Sequence, residues 1–323
     1  MTWKTIGCAV QGRGHKKSDV PCQDVVHYDA VSGVHVIALS DGAGSARLSL
    51  YGADAAVCSV GSLLAEEFRA FIGNSNGVAV KQHILNIVLT ALRVKADELG
   101  CEMHDLAATL LAVAADDENF LAVHIGDGVI GCYGMDGLKT LSAPDNGEFA
   151  NATTFVTSRD ALQRMRIYKG SAARLSGFVL MSDGTEQSLY HKRNRVLAPA
   201  VIRLMHRTCL IAHDVLLPQL VAALENVIAM QTQDDCSIAL MARCSHALPP
   251  IRALSPTQRR EVFGGVSLPL AVSLRICRKL GLRLAPCQIM RAMRGNTTLR
   301  QRDVQRFVKT AAMTRKKERD RIL

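Results

Sequence analysis

Val34-His35-Val36-Ile37-Ala38-Leu39-Ser40-Asp41-Gly42-Ala43-Gly44-Ser45 is an apolar run of strand length that stops in Ser-Asp-Gly and a small-residue turn. Between two alternating strands, Asp-Gly usually marks a hairpin. Here the next segment, 46–71, has apolar positions three and four apart and predicts a helix. The Asp41 carboxylate therefore falls at the C-terminal end of a strand, where layered α/β architectures tend to place chemistry. The device returns at Phe178-Val179-Leu180-Met181-Ser182-Asp183-Gly184.

Outward from that stretch, strands are expected at 4–10, 25–28, 106–115, 120–125, 129–133, 178–182 and 236–242. Helices are expected at 46–71, 78–99, 195–209 and 215–230, and polar loops at 11–22 and 146–158. Strands, two helices, more strands, two helices and a last strand do not alternate as a doubly wound parallel sheet does. The order predicts an α+β fold of two mostly antiparallel sheets packed as a sandwich and flanked by helices. No internal repeat is visible.

Charge divides the chain. Eighteen of its 39 Lys and Arg but only four of its 29 Asp and Glu lie from His246 onward, so a net charge of +10 conceals a mildly acidic body and a strongly basic tail. We therefore expect a main domain over 1–245 and a basic, helical C-terminal extension over 246–323. The tail suits an acidic protein surface, docking on its own domain, or, less well, nucleic acid, since only Phe263 and Phe307 interleave its arginines. No apolar run approaches the ~18–20 residues of a membrane span, and no secretory leader is evident. Ten cysteines without a Cys-x-x-Cys pair argue against a zinc site or a disulfide scaffold and for a reduced, cytoplasmic setting. Cys22 and Cys236 read as small buried hydrophobes.

Five aspartates share a placement beside strand ends: Asp24, Asp41, Asp127, Asp183 and Asp235. Each alone is an ordinary turn residue. Together they would resist ionising unless a cation compensated them. Oxygen donors without a His or Cys cluster favour Mg²⁺ or Mn²⁺. Gly42 beside Asp41 would let its carbonyl approach such an ion closely.

The ordered series Gln23-Asp24, Ser40-Asp41-Gly42-Ala43-Gly44-Ser45, Gly126-Asp127-Gly128, Gly147-Glu148-Phe149-Ala150-Asn151, Ser182-Asp183-Gly184 and Asp234-Asp235-Cys236-Ser237 resembles the metal-dependent protein phosphatases of type 2C, in their bacterial branch with Asp-Gly-Ala-Gly-Ser. The likeness covers roughly 5–244. It implies a centre of two Mn²⁺ or Mg²⁺ ions bridged by Asp41, with Gly42 lending its carbonyl and Asp24, Asp183 and Asp235 holding the ions singly or through water. Asp127 matches a position that helps a weaker third site. The implied reaction is one-step hydrolysis of phosphoserine or phosphothreonine in a protein by a water bridging the ions, opposite a protein kinase. Many relatives place an arginine a few residues before Gln-Asp to grip phosphate; here that loop offers Arg13, His15, Lys16 and Lys17, of which His15, then Arg13, are the expected substitutes. Ala43 stands where animal relatives carry a histidine proposed as general acid. Two rival readings are a phosphatase fold that binds a phosphoprotein with little turnover and a nucleic-acid-associated regulator acting through the tail.

Overall fold

The computed structural model describes residues 3–145 and 153–243, with Pro256 apart from them. Apart from Pro256, the expected extension 246–323, its boundary, and Glu148 and Asn151 lie outside the described residues.

Two five-stranded antiparallel sheets form the body. One takes the order β1 (Lys4–Val10), β12 (Cys236–Ala242), β9 (Leu175–Met181), β6 (Val129–Gly134), β7 (Gly137–Ser142). The other runs β2 (Asp24–Val31), β3 (Val34–Asp41), β4 (Leu110–Ala115), β5 (Asn119–Ile125), β8 (Arg166–Ser171). The layers follow from the strands' two faces. Ile37 and Leu39 of β3 meet Phe178, Leu180 and Met241 between the sheets. Val36 and Ala38, the alternate residues, turn outward against Val60, Leu64 and Phe68 of α2 (Ser49–Gly73). A strand covered on both faces has no polar side to show, and so reads as one apolar run. On the far side, Val179 and Leu240 pack with Val201 and Met205 of α6 (Ala200–Leu210) and Leu216 and Leu220 of α7 (His213–Ala223).

α3 (Gly77–Leu99) lies on α2; Asn76 caps it by accepting from the Ala79 amide at 3.1 Å, and Gly100 closes it at φ +60°. Left-handed backbone at a helix C-terminus favours glycine. At the edge of the interlayer core, Arg243 stacks 4.4 Å from the Trp3 ring centroid and donates to the carbonyls of Leu175 and Asp117. Among the described residues no helix is long and apolar enough to cross a membrane.

The expected sandwich is present, with local corrections. The loop 11–22 contains a helix, α1 (Arg13–Ser18), with no buried residue and hence no apolar period. The strand expected from 106 begins at Leu110, after a 3-10 turn at Met103–Leu106. The segment from Arg195 opens in a small hairpin, β10 (Tyr190–His191) with β11 (Val196–Leu197), before α6 starts. β7 and β8 are additional strands, both at sheet edges, with a single helical turn, α4 (Ala161–Arg164), before β8.

Gly52 marks the tightest approach of α2 to the 3-10 turn: a Cβ there would stand 2.0 Å from the Leu106 carbonyl oxygen. Gly→Ala in a helix gains about 1 kcal/mol of propensity, but overpacking against backbone costs up to about 3 kcal/mol. Gly52→Ala is therefore expected to destabilise by about 2 kcal/mol, read as a lower urea midpoint; a midpoint that rises would refute this packing.

Candidate active site

The β2–β3 register sets Asp24, the first residue of β2, directly opposite Asp41, the last of β3. Asp41 is pinned from the other side by Thr109: its amide donates to Thr109 Oγ1 at 2.9 Å, and its carbonyl accepts from the Thr109 amide at 2.8 Å. The Gly42 amide donates to the Gln23 carbonyl at 3.1 Å. A Cβ on Gly42 would meet Ser49 at 2.9 Å and that carbonyl at 3.0 Å, so only glycine leaves this turn unstrained. No described group donates to the Gly42 carbonyl.

Two further turns bring acids to the same end of the sandwich. Gly126, at φ +117°, turns the chain from β5 into β6 and presents Asp127, whose Oδ2 accepts from Thr153 Oγ1 at 2.6 Å. Asp183 opens α5 (Asp183–Leu189) just past β9, with the Ser182 carbonyl accepting from the Glu186 amide at 2.9 Å.

The charges of these residues act on one another. Burial, then Asp24, Asp183, Asp234 and Asp127, hold the Asp41 carboxyl well above the usual aspartate range. Burial raises Asp24 to about 7, with Asp235 and Asp183 adding to it. Burial, Asp234 and Asp127 raise Asp183 to about 6, partly offset by a hydrogen bond with Asp41. Burial raises Glu186 to about 7, offset by Lys192, whose Nζ stands 2.5 Å away. Both Asp24 oxygens and Asp183 Oδ1 are buried without an aligned donor; the Ser182 and Ser237 hydroxyls lie near enough to ease the Asp24 charge without meeting hydrogen-bond geometry. Buried acids without donors must either keep their protons or be compensated by a cation. Oxygen-only donors of this kind suit Mg²⁺ or Mn²⁺. Among the described residues no group of three His, Cys, Asp or Glu side chains is placed to hold an ion; the fit to a cation rests on the orphaned oxygens of Asp24 and Asp183.

Asp235 is placed differently from its expected role. Its Oδ1 accepts from the Gly12 amide at 2.6 Å, and its Oδ2 accepts from the Gln23 amide at 2.6 Å and faces His15 Nδ1 at 2.9 Å. The carboxylate is thus committed to holding both ends of the 12–23 segment. Its neighbour Asp234, half-buried and raised chiefly by burial, is the one whose charge reaches Asp41 and Asp183. The pair Asp234-Asp235 was visible in the sequence, but which of the two turns toward the cluster depends on the turn before β12. His15 is tied to Asp235, and Arg13 donates Nε to the Thr232 carbonyl at 3.0 Å while the residue stays exposed. Close approach makes this docking possible: a Cβ on Gly12 would lie 2.2 Å from the Asp234 carbonyl oxygen, and one on Gly184 2.1 Å from that of Asp235. Burial pushes the Cys236 thiol up to about 12 and raises Cys22 as well, which leaves both poor nucleophiles. Glu186 and Lys192 had no sequence signal beyond an acid one helical turn after Asp183.

An acidic cluster at one end of a two-sheet sandwich defines a class, and the chain belongs to the protein phosphatase 2C family, whose profile matches residues 11–225. It is similar to Serine/threonine-protein phosphatase 3 of Escherichia coli (strain K12), at 26% identity over 192 residues, covering 58% of this chain and 75% of that one. Among solved structures it is similar to a bacterial serine phosphatase, at 14% identity, 76% of this chain, 99% of that one and TM-score 0.54. It is also similar to the serine/threonine phosphatase Stp1 from Staphylococcus aureus, at 14% identity, 75% and 95% coverage and TM-score 0.52. These structural likenesses carry the fold.

Two measurements check the electrostatics. An acid whose pKa is higher folded than unfolded weakens the fold as it is made to ionise. For Asp24, at about 7 against an ordinary 3.8, that loss accrues as pH rises from about 4 through 7. Metal-free Asp24→Asn should therefore melt several degrees above wild type at pH 7.5, with the gap narrowed to under half at pH 5 and closing near pH 4; a gap constant with pH would contradict this. Asp235→Asn should lower stability by about 2–3 kcal/mol by weakening charged acceptors to two buried amides. Asp234→Asn should leave stability nearly unchanged and weaken Mn²⁺ binding, measured calorimetrically; the reverse pattern would exchange their roles.

Proposed function

We propose that this protein phosphatase hydrolyses phosphoserine or phosphothreonine in proteins with the help of two Mn²⁺ or Mg²⁺ ions. The observation that carries the reading is the cross-strand pair Asp24–Asp41, embedded among Asp127, Asp183 and Asp234 with orphaned carboxylate oxygens. Asp24, Asp41, Asp183 and Asp234 are the acids that would hold the two ions, with the Gly42 carbonyl beside them. Asp127, already bonded to Thr153, suits a weaker third site. When bound, such ions make a water acidic enough to attack phosphorus and neutralise phosphoryl oxygens.

The chain's own residues do the rest. Thr109 fixes the Asp41 backbone, so that its side chain is aimed before any ligand arrives. Asp235 positions the 12–23 segment, which carries Arg13, through two amides and His15. Arg13 keeps its terminal guanidinium nitrogens available to a phosphate after Nε is used on Thr232, which favours it over His15. Ala43, buried, offers no proton, so the departing alkoxide takes its proton from solvent.

The name of the Escherichia coli relative, a serine/threonine-protein phosphatase, supports this substrate class. A protein kinase is the enzyme whose product such a site consumes, and a cytoplasmic setting fits both.

Hydrolysis of a phosphothreonine peptide should require Mn²⁺ or Mg²⁺ and fall at least about a hundredfold in Asp41→Asn, the scale of losing a preorganised electrostatic group. Turnover that persists in chelator, or that survives Asp41→Asn, would overturn the reading.

A further inference from the structure

The hairpin that replaces the start of the expected helix carries His191-Lys192-Arg193-Asn194-Arg195 at its tip, all exposed. It is joined directly to α5, the helix that Asp183 opens. Of its three full cations, one points inward: Lys192 pairs with Glu186, which is completely buried, and after Glu186 the charges of Asp183 and Asp127 act on it. The tip therefore sits at the rim of the acidic cluster. The other two, Arg193 and Arg195, pair with no carboxylate among the described residues.

This tip is held in shape. The Asn194 amide donates to the His191 carbonyl at 3.2 Å, and the Arg195 amide to the Lys192 carbonyl at 3.3 Å. The Arg195 carbonyl accepts from Thr140 Oγ1 of β7 at 2.8 Å, and the Ala198 amide returns to the Leu189 carbonyl at 2.8 Å. Arg195 itself sits at φ +53°, a conformation non-glycine residues adopt only a few per cent of the time. A solvated turn has no need of such constraint; a preorganised contact surface benefits from it, because less ordering remains to be done on binding.

We propose that Arg193 and Arg195 form a docking element that selects phosphoprotein segments carrying acidic residues beside the phosphorylated one. This rests on the phosphatase reading and names the kind of substrate it takes. With the acids of the cluster taken up by the ions of that reading, the two unpaired guanidinium groups at the rim are left to attract Glu or Asp flanking the phosphorylated residue. Two arginines without a neighbouring exposed aromatic ring are too small a surface for a nucleic-acid strand.

The variant Arg193→Glu/Arg195→Asn tests this, since Asn tolerates the left-handed backbone at 195. The probes are two phosphothreonine peptides, one flanked by Glu and one by neutral residues, and p-nitrophenyl phosphate, which has no flanks. The ratio of kcat/KM for acidic over neutral peptide should fall about three- to tenfold, the worth of two exposed pairs. It should fall less at high salt, with p-nitrophenyl phosphate unchanged. An unchanged ratio, or an equal fall on all three substrates, overturns the proposal. Fluorescence anisotropy of the labelled acidic phosphopeptide on Asp41→Asn protein, with and without the arginine changes, reads docking without turnover. Docking that depends on the arginines, alongside a wild-type protein that hydrolyses none of the three substrates with Mn²⁺ present, would sink the catalytic reading alone. Docking independent of them, or abolished as effectively by an equal charge of single-stranded DNA at the same concentration, would sink this one.

Discussion

Like charges brought together out of water are the constraint on which the rest of the molecule depends. The register between β2 and β3 puts Asp24 and Asp41 opposite each other, and turns before β6, α5 and β12 add three more acids. Left to themselves these groups would separate or swing into solvent. They are held because each backbone is fixed by something remote from the charge: Thr109 on Asp41, Gly126 under Asp127, the first turn of α5 for Asp183. The cluster is thus a place of stored repulsion, maintained by apolar layers on both faces of both sheets.

That division of labour explains why the core is so uniformly apolar. Phe178, Leu180, Ile37 and Leu39 fill the space between the sheets, and helices α2, α3, α6 and α7 cover the outer faces. Binding of a divalent cation would relieve the repulsion, so ligand affinity and fold stability are linked through the same carboxylates.

How much of this could be read beforehand follows from burial. β1 and β12 agree with expectation to the residue: β12 is buried along its whole length, and β1, though an edge strand, sets Ile6, Cys8 and Val10 beneath α6 and α7. β7 and β8 carry no apolar run: Lys139, Thr140, Arg166 and Lys169 break the pattern, as an edge position permits. α1 escaped because it buries nothing. The aspartates announced themselves by recurring at strand ends. The separate roles of Asp234 and Asp235 did not, since adjacent residues in a turn point in directions fixed only by the segment that docks on them, here Gly12 to Gln23. The helix expected from Arg195 starts only at Ala200, because Val196 and Leu197 pair with Tyr190 and His191 instead.

β12 lies between β1 and β9, inside its sheet rather than at the margin, and the Asp235 clamp precedes it by one residue. The first and last strands of the body are therefore neighbours in space though more than two hundred residues apart in sequence. A chain emerging from the ribosome can form the β2–β5 sheet and its helices early, from contacts local in sequence. It cannot complete the sheet under α6 and α7, or draw Gly12 and Gln23 into position, until the final strand slides into the gap left for it. Synthesis thus imposes its own order on the enzyme: Asp24 and Asp41 meet early in the first sheet, while Asp234 and the Asp235 clamp join them only when β12 is in place.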